Sequence, residues 1–198
     1  TNSLLDINVF GKRAGRNAVE YVKTAEFVQH HENPAAFVSG MLEDLRNNQG
    51  TERIAVLRKT LQDEMDKGAQ VFRTHDSLQH VLGVIAELRE RYKNVHVDDK
   101  GQRFNTDLLE AVELGFLLDI AEVVVYAAQN REESRGGHMR DDFPKRDDEK
   151  YMKHTMAYLT GDPHSSTPSD HIKLDWKPVV FTKNEQGEFN YPPMERKY

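Results

Sequence analysis

The sequence contains no cysteine, and no apolar run approaches the roughly 18 residues that a membrane-spanning helix needs. The absence of cysteine excludes disulfides and thiolate metal sites, and without a long apolar run we expect no membrane span. Apolar residues are also scarce, at 37% of 198 positions against a usual ~45–50%. Much of the surface is therefore predicted to be polar or covered by something else. The net charge of −6 argues against a general nucleic-acid-binding protein.

The first six residues have the features of a helix start. Asn2 and Ser3 are good N-cap residues, and Asp6 suits the positive end of a helix dipole. We therefore predict a helix from Ser3 to about Phe27. The unpaired amide groups of a first turn also form a ready site for negative charge on a ligand. From this local pattern alone, an ordinary capped helix is the favoured interpretation.

Four very small residues follow helical spacing within this predicted helix: Gly11, Ala14, Gly15 and Ala18. Glycine inside a helix costs ~0.5–1 kcal/mol relative to alanine, so two glycines about one turn apart need a compensating reason. We expect a strand, another helix or a flat ligand-binding core to pack closely against this side of the helix.

Three further amphipathic helices are predicted between residues 51 and 130, after a break at Pro34 and a short helix over about residues 35–45. Their apolar positions are Ile54, Leu57, Leu61 and Met65; Leu78, Val81, Leu82, Ile85 and Leu88; and Leu108, Leu109, Val112, Phe116, Ile120, Val123, Val124 and Ala127. The expected N-caps of the first two helices are Thr51 and then Asp76 or Ser77, and the third helix is expected to open at Asn105-Thr106-Asp107. The third helix has the widest apolar face and is predicted to be the central helix of a three-helix bundle.

Histidines and carboxylates raise the question of a metal site. His30 and His31 are adjacent in a polar linker, a setting more typical of exposed side chains than of metal ligands. The third bundle helix carries four acids at helical spacing: Glu110, Glu113, Asp119 and Glu122. Carboxylates in such positions build di-metal sites only when histidines face them, and residues 51–130 contain no Glu-x-x-His. We therefore interpret the four acids as a solvated edge and predict no metal ligand.

The densest polar run is Arg131 to Asp148, in which charges of both signs alternate around Gly136-Gly137. Aromatic, proline and methionine residues are interleaved with the charges, which is not typical of a low-complexity solvated loop. We predict an ordered loop that arginine–carboxylate pairs hold against a partner surface. His138 could act as a general acid or base, but a structural histidine within the ion-pair network is the favoured interpretation.

The tail predicts a β-hairpin followed by an arm. Residues 172–176 alternate apolar and polar side chains after a turn-rich segment, residues 161–169, which connects them to the polar and aromatic segment 151–159. Beyond the hairpin, an extended arm runs to Tyr198 and should lie on another surface because it has no core of its own. The predicted fold class is mainly α.

Several blocks of the sequence resemble the succinate dehydrogenase/fumarate reductase flavoproteins. The opening Asn2-Ser3-Leu4-Leu5-Asp6, with residues 9–11 and 14–15, resembles the last flavin-contacting helix of that family. Residues 131–148 resemble its Glu-Ser-Arg-Gly-x-His-x-Arg-x-Asp-(Phe/Tyr)-Pro-x-Arg-Asp-Asp block, and residues 153–155 and 194–198 resemble its tail. The blocks run from end to end in the family's order. Gly137 and Met139 are small departures, since the family often has alanine and a small residue there.

The resemblance implies an FAD-dependent enzyme that oxidises succinate to fumarate and passes electrons to an iron–sulfur subunit and on to quinone. It implies that the backbone amides of Ser3 and Leu4 face the N1/O2 edge of the flavin, and it assigns no catalytic residue to this chain. The family's dinucleotide-binding fold, its substrate-binding histidine and arginine, and the histidine that can link FAD covalently lie upstream of Thr1. The implied organisation is a flavin-facing helix that ends the FAD-binding domain (1–50), a helical domain with the three-helix bundle (51–148), and the hairpin and arm (149–198).

The same resemblance implies a peripheral protein on the cytoplasmic side of the inner or plasma membrane. It would contact the iron–sulfur subunit directly and the membrane anchor subunits only indirectly, and it would bind a small dicarboxylate but no nucleic acid. The pattern favours succinate dehydrogenase. Quinol-dependent fumarate reductase and L-aspartate oxidase, which shares the Ser-Arg-Gly-x-His core, remain alternatives. So does an isolated module that binds a partner and carries out no chemistry.

Overall fold

The computed structural model describes residues 3–30, 32–161, 165, 167–190, 192 and 194. The fold is mainly α with one antiparallel hairpin, which confirms the predicted fold class. The chain forms two compact units, residues 1–40 and 41–198. The functional boundaries expected at residues 50 and 148 stay predictions.

The first unit contains helix α1, Ser3–Val22, and none of its residues is buried. The helix ends five residues earlier than the predicted Phe27, in a turn where the Ala25 N–H donates to the Tyr21 carbonyl at 3.1 Å. A Cβ added at Gly11 or Gly15 would meet no atom within 4 Å. The described residues therefore supply no close neighbour for the small-residue stripe, and its packing partner stays a prediction.

The core of the second unit is a three-helix bundle, preceded by α2, Ala36–Asn47. The bundle consists of α3 (Ile54–Gly68), α4 (His75–Tyr92) and α5 (Thr106–Gln129). All five apolar positions predicted in α4 are buried, as are three of the four in α3, while Met65 packs half-buried against the core. The 3.6-residue period therefore identified the buried faces of α3 and α4 correctly.

Neither of the two expected N-caps is found in the structure, but the third helix opens where predicted. It begins at Thr106, and the Asn105 side chain caps it by accepting from the Leu108 N–H at 2.7 Å. The Thr51 prediction is wrong: two-residue strands β1 (Glu52–Arg53) and β2 (Val95–His96) pair in parallel, so α3 starts only at Ile54. The α4 cap is Thr74 rather than Asp76 or Ser77, because Thr74 and Ser77 form a reciprocal capping box.

The apolar face predicted for α5 is the wrong one. The residues that α5 buries in the bundle are Ala111, Leu114, Leu118, Ala121, Glu122, Val125 and Ala128. Phe116 and Ile120, central to the predicted face, are exposed on the opposite side. The helix is apolar nearly all round, so periodicity could not choose between the two sides. At Gly115 the helix lies close to α4, where an added Cβ would be 2.8 Å from the Tyr92 hydroxyl.

The tail forms the predicted hairpin. Strands β3 (Lys153–Leu159) and β4 (Ile172–Pro178) are antiparallel, with Thr155 opposite Trp176. A four-residue helix α6, Asp148–Tyr151, precedes β3 and was not predicted. The arm is described over residues 179–190, 192 and 194, so most of the family-like segment 194–198 lies outside the described residues.

No helix within the described part of the chain is long and apolar enough to cross a membrane.

Candidate functional site

The loop 131–148 is ordered around one buried carboxylate, Glu133, which is fully inaccessible to solvent. Its oxygens accept from Arg131 Nη1 at 2.7 Å, from Arg135 Nε at 2.8 Å and from the Asp147 N–H at 2.9 Å. A buried carboxylate is costly unless charged and neutral donors surround it. Here two guanidinium groups and a backbone amide do so, which confirms the prediction of a loop held by arginine–carboxylate pairs.

The second organising side chain is Arg140, also fully buried. Its Nη1 donates to the carbonyls of Ala128 and Gln129, both at 3.0 Å, at the end of α5. Its Nε and Nη2 bind both oxygens of Asp142 at 2.8 Å, and Asp142 Oδ2 accepts from the His75 N–H at the start of α4. These donors lower the pKa of Asp142 to about 2, chiefly through the Arg140 pair. Arg140 thus joins the end of one bundle helix to the beginning of another.

His138 lies between the residues that surround Glu133 and those that surround Arg140. Its Nδ1 accepts from Arg73 Nη1 at 2.8 Å, and its Nε2 lies 3.0 Å from the Arg131 carbonyl. Both bonds are made together only by the neutral ring with its proton on Nε2. Burial lowers the pKa of His138, and the neighbouring Arg73 charge lowers it further. Since both ring nitrogens are engaged, the geometry favours the structural role over general acid–base chemistry.

A two-residue turn brings His138 back to this position. The Arg135 N–H donates to the His138 carbonyl at 2.7 Å and the His138 N–H donates to the Arg135 carbonyl at 3.0 Å. Gly136 inside this turn has a φ of 59°, a left-handed value that suits glycine. Gly136 therefore suits the turn that aims His138 at Arg73.

Arg131 connects the loop to the hairpin. Its guanidinium stacks over the rings of Tyr151 and Trp176, 5.4 Å from each centroid, and Nη1 donates to the Tyr151 carbonyl at 3.2 Å. Beside it lies an open cavity of about 380 Å³. The cavity is lined by His75, Gln129, Asn130, Glu132, Lys150, Tyr151, Lys153 and Trp176. Lys150 donates to Glu132 at 2.8 Å across this lining, so the cavity wall is polar and internally paired.

Sequence reasoning missed a buried polar cluster beneath the hairpin. Glu122 was interpreted as part of a solvated edge, but it is buried, and its Oε2 lies 2.7 Å from Arg89 Nη2 and 3.0 Å from His171 Nε2. The other three acids of the predicted solvated edge, Glu110, Glu113 and Asp119, do lie at the surface, paired with Arg58 or Arg89. Glu122 is four residues after Leu118 and three before Val125, both on the buried face, but no sequence signal indicated its burial, because periodicity did not show which side of α5 enters the core.

The predicted flavin contacts, Ser3 and Leu4, occupy the first turn of α1 and are exposed. Helix geometry leaves the N–H groups of a first turn without intrahelical carbonyl partners. Asn2, the other half of the predicted cap, lies outside the described residues. Among the residues that the structure describes, no group of three histidine or carboxylate side chains is placed to hold a metal ion.

Comparison with known proteins identifies what the loop and helices are similar to. Residues 58–198 match the family described as "Fumarate reductase flavoprotein C-term". The chain is 38% identical over 201 residues to the succinate dehydrogenase flavoprotein subunit of Rickettsia conorii, covering 100% of this chain and 32% of that protein. It is 35% identical over 193 residues to the fumarate reductase flavoprotein subunit of Haemophilus influenzae, covering 96% of this chain and 31% of that protein.

Solved structures show the same similarity. A chain of the E. coli quinol fumarate reductase has a TM-score of 0.79 and 35% identity, over 94% of this chain and 30% of that one. The chain thus spans about a third of the length of the curated relatives it matches. These matches confirm the resemblance seen in the opening helix and the 131–148 loop. The chain belongs to the succinate dehydrogenase/fumarate reductase flavoprotein family.

Proposed function

We propose that this chain is part of the flavoprotein subunit of a succinate dehydrogenase, which oxidises succinate to fumarate with FAD. The observation that carries the proposal is the match along the whole chain, at 38% identity, to a protein of that name. Electrons would then pass to an iron–sulfur subunit and on to quinone. The location that we propose is peripheral, on the cytoplasmic side of the membrane, with the membrane anchors contacted only indirectly.

Within this function, we assign a flavin-binding role to the backbone amides of Ser3 and Leu4. The first turn of α1 fits the role, because its N–H groups lack intrahelical partners and the residues around them are exposed. FAD, when bound, supplies the hydride acceptor. Amides at the positive end of a helix would stabilise the negative charge that develops near the flavin N1. The side chains of the chain do not enter this step, which depends on backbone donors alone.

The 131–148 loop supports the same function indirectly. Glu133 and Arg140 join the ends of α4 and α5 to the hairpin through buried ion pairs. Such a network gives a rigid surface, and we propose that this surface takes part in contact with the iron–sulfur subunit. His138 positions the loop and does not act as a proton donor.

A second candidate function is that of a quinol–fumarate reductase, which would run the same reaction in the opposite direction. It is favoured by the 35% identity to the Haemophilus influenzae fumarate reductase subunit and by the TM-score of 0.79 to the E. coli enzyme. The two functions share one site, so their residues do not separate them. Comparing initial rates of succinate-dependent dye reduction and fumarate-dependent dye oxidation in the purified complex would separate them.

The amide role is tested in the longer flavoprotein by replacing Ser3 with proline or alanine. Proline at the first position of a helix keeps the helical backbone and removes the N–H together with the hydroxyl, whereas alanine removes the hydroxyl and keeps the N–H. We expect Ser3→Pro to weaken FAD binding or to lower the flavin potential, measured by equilibrium dialysis and by a redox titration of the flavin absorbance. Ser3→Ala is the matched control and should stay close to wild type.

Equal affinities and potentials in all three proteins would rule out the amide role while leaving the family assignment intact. A colourless preparation without succinate-dependent dye reduction would instead contradict the enzyme function and favour a module that only binds a partner.

A further inference from the structure

The hairpin of β3 and β4 is attached to the bundle outside the apolar core. Only Ile172 among the residues of the two strands is buried, and the core cluster of the described residues contains no residue of either strand. A two-stranded sheet of this size is marginally stable at best by itself. The hairpin therefore depends on its contacts with the rest of the unit, and two side chains, His171 and Arg131, make hydrogen bonds of this kind.

His171 joins the turn end of the hairpin to α5. Its carbonyl accepts from the Thr160 N–H at 2.9 Å, so its backbone extends the pairing of β3 with β4. Its ring is buried, and Nε2 lies 3.0 Å from Oε2 of the buried Glu122. The same oxygen lies 2.7 Å from Nη2 of Arg89 in α4. Glu122 would therefore keep a cation of the bundle if His171 left, so that opening this contact does not strand an unpaired buried charge.

Arg131 makes the second contact, at the other end of the hairpin. Its guanidinium donates to the Lys153 carbonyl and lies over the Trp176 ring, 5.4 Å from the centroid. The same guanidinium donates to Glu133 at 2.7 Å, and Glu133 is the buried carboxylate around which the loop 131–148 is ordered. The position of this one side chain therefore depends on the hairpin and affects the loop.

We propose that the hairpin is a separately opening unit, held closed on the bundle by the contact between His171 and Glu122. In the open state the two strands melt while the bundle keeps its apolar core. Arg131 then loses the Trp176 ring and the Lys153 carbonyl that help to position it, and the loop 131–148 becomes less ordered. Openings of part of a protein are typical of units with few buried apolar contacts. The unit opens in the same way whichever reaction the flavoprotein carries out.

Hydrogen exchange in the longer flavoprotein, followed peptide by peptide with mass spectrometry, tests the opening. We expect the amides of β3 and β4 to exchange roughly tenfold or more faster than those of α4, as for a unit that opens without the core. His171→Ala should speed exchange in the hairpin by about a further tenfold and leave α4 unchanged. His154→Ala is the matched control, because His154 is an exposed histidine of the same hairpin, and it should behave as wild type. His171→Gln keeps a donor for Glu122 and should change the exchange less than His171→Ala.

The loop gives a second readout. The Asp147 N–H donates to Glu133 at 2.9 Å, and peptides that contain it should exchange severalfold faster in His171→Ala but not in His154→Ala. A common exchange rate for the hairpin and α4 in wild type, or equal effects of the two alanine substitutions, would overturn the proposal. Faster exchange in α4 of His171→Ala would also overturn it, since His171 would then support the whole bundle. Faster exchange in the hairpin with an unchanged loop would overturn the connection through Arg131.

Discussion

Helices α1 and α4 have similar lengths, 20 and 18 residues, and both carry apolar side chains at helical spacing, yet α4 buries five residues and α1 buries none. Composition alone does not explain the contrast, because α1 also contains large apolar side chains, among them Leu4, Ile7 and Phe10, and exposes them. The contrast teaches that periodicity indicates which side of a helix is apolar and does not indicate what covers that side. For α4 the cover is α3 and α5; for α1 it is not found among the described residues.

Among substitutions in the packed part of the molecule, those that break the buried ion pairs of residues 131–148 should have the largest effect on stability. Arg140→Met would leave Asp142 without its cation and the Ala128 and Gln129 carbonyls without a donor. We expect a loss of about 3–5 kcal/mol in the free energy of unfolding, as for other broken buried pairs, measured by urea denaturation of the chain. Arg146→Met, in the same loop but at a more exposed pair with Asp148, should cost less than about 1 kcal/mol. Similar costs for both would show that Arg140 is not central to the loop.

A direct comparison of the two helical regions uses one substitution at two sites. Leu57→Ala removes a fully buried side chain from the bundle core and should cost about 2–5 kcal/mol. Leu5→Ala in α1 alters an exposed side chain and should stay within about 0.5 kcal/mol. Both values follow from urea unfolding curves of the chain. A cost at Leu5 comparable with that at Leu57 would mean that α1 is packed in solution.

A smaller effect is expected from pH, because it involves the proton of one side chain. The folded state holds the pKa of His138 below its unfolded value of about 6.5. The neutral ring's contribution to stability is therefore complete above about pH 6.5 and is lost as the pH falls from that value through the folded pKa. His138→Gln keeps an acceptor for Arg73 and a donor for the Arg131 carbonyl without titrating. Its stability should fall less than that of the wild type between pH 7.5 and 5.5, and parallel curves would contradict this assignment.

The smallest effect concerns the small-residue stripe of α1. Because the space beside Gly15 is open, Gly15→Ala should stabilise α1 in this chain by about 0.5–1 kcal/mol. That is a two- to fivefold gain in amide-exchange protection. In the longer flavoprotein the same methyl group should be unfavourable if a surface packs closely on the stripe. An equal gain in both proteins would show that the stripe has no close partner.

Sequence reasoning succeeded where the signal is local. The apolar spacing of α3 and α4, the opening of α5 at Asn105 and the ion-paired loop all depend on residues close together in the chain. It failed at the Thr51 cap because the pairing of β1 with β2 brings together residues about 43 positions apart. It failed again at Glu122, whose partners Arg89 and His171 come from other elements. The flavin contacts at Ser3 and Leu4 stay predictions.

The sequence by itself determined that the chain is mainly helical, that residues 131–148 form an ordered charged loop, and that the chain resembles a flavoprotein family. It could do so because the helical period and the turn-forming glycines depend on neighbouring residues, and because the order of the blocks is read directly along the chain. Only the tertiary structure decided which side of α5 enters the core. Two sides of that helix are comparably apolar, and the choice depends on how the side packs against α3 and α4 in the bundle. Only the fold, likewise, placed Glu122 in the interior, where its partners Arg89 and His171 come from other elements.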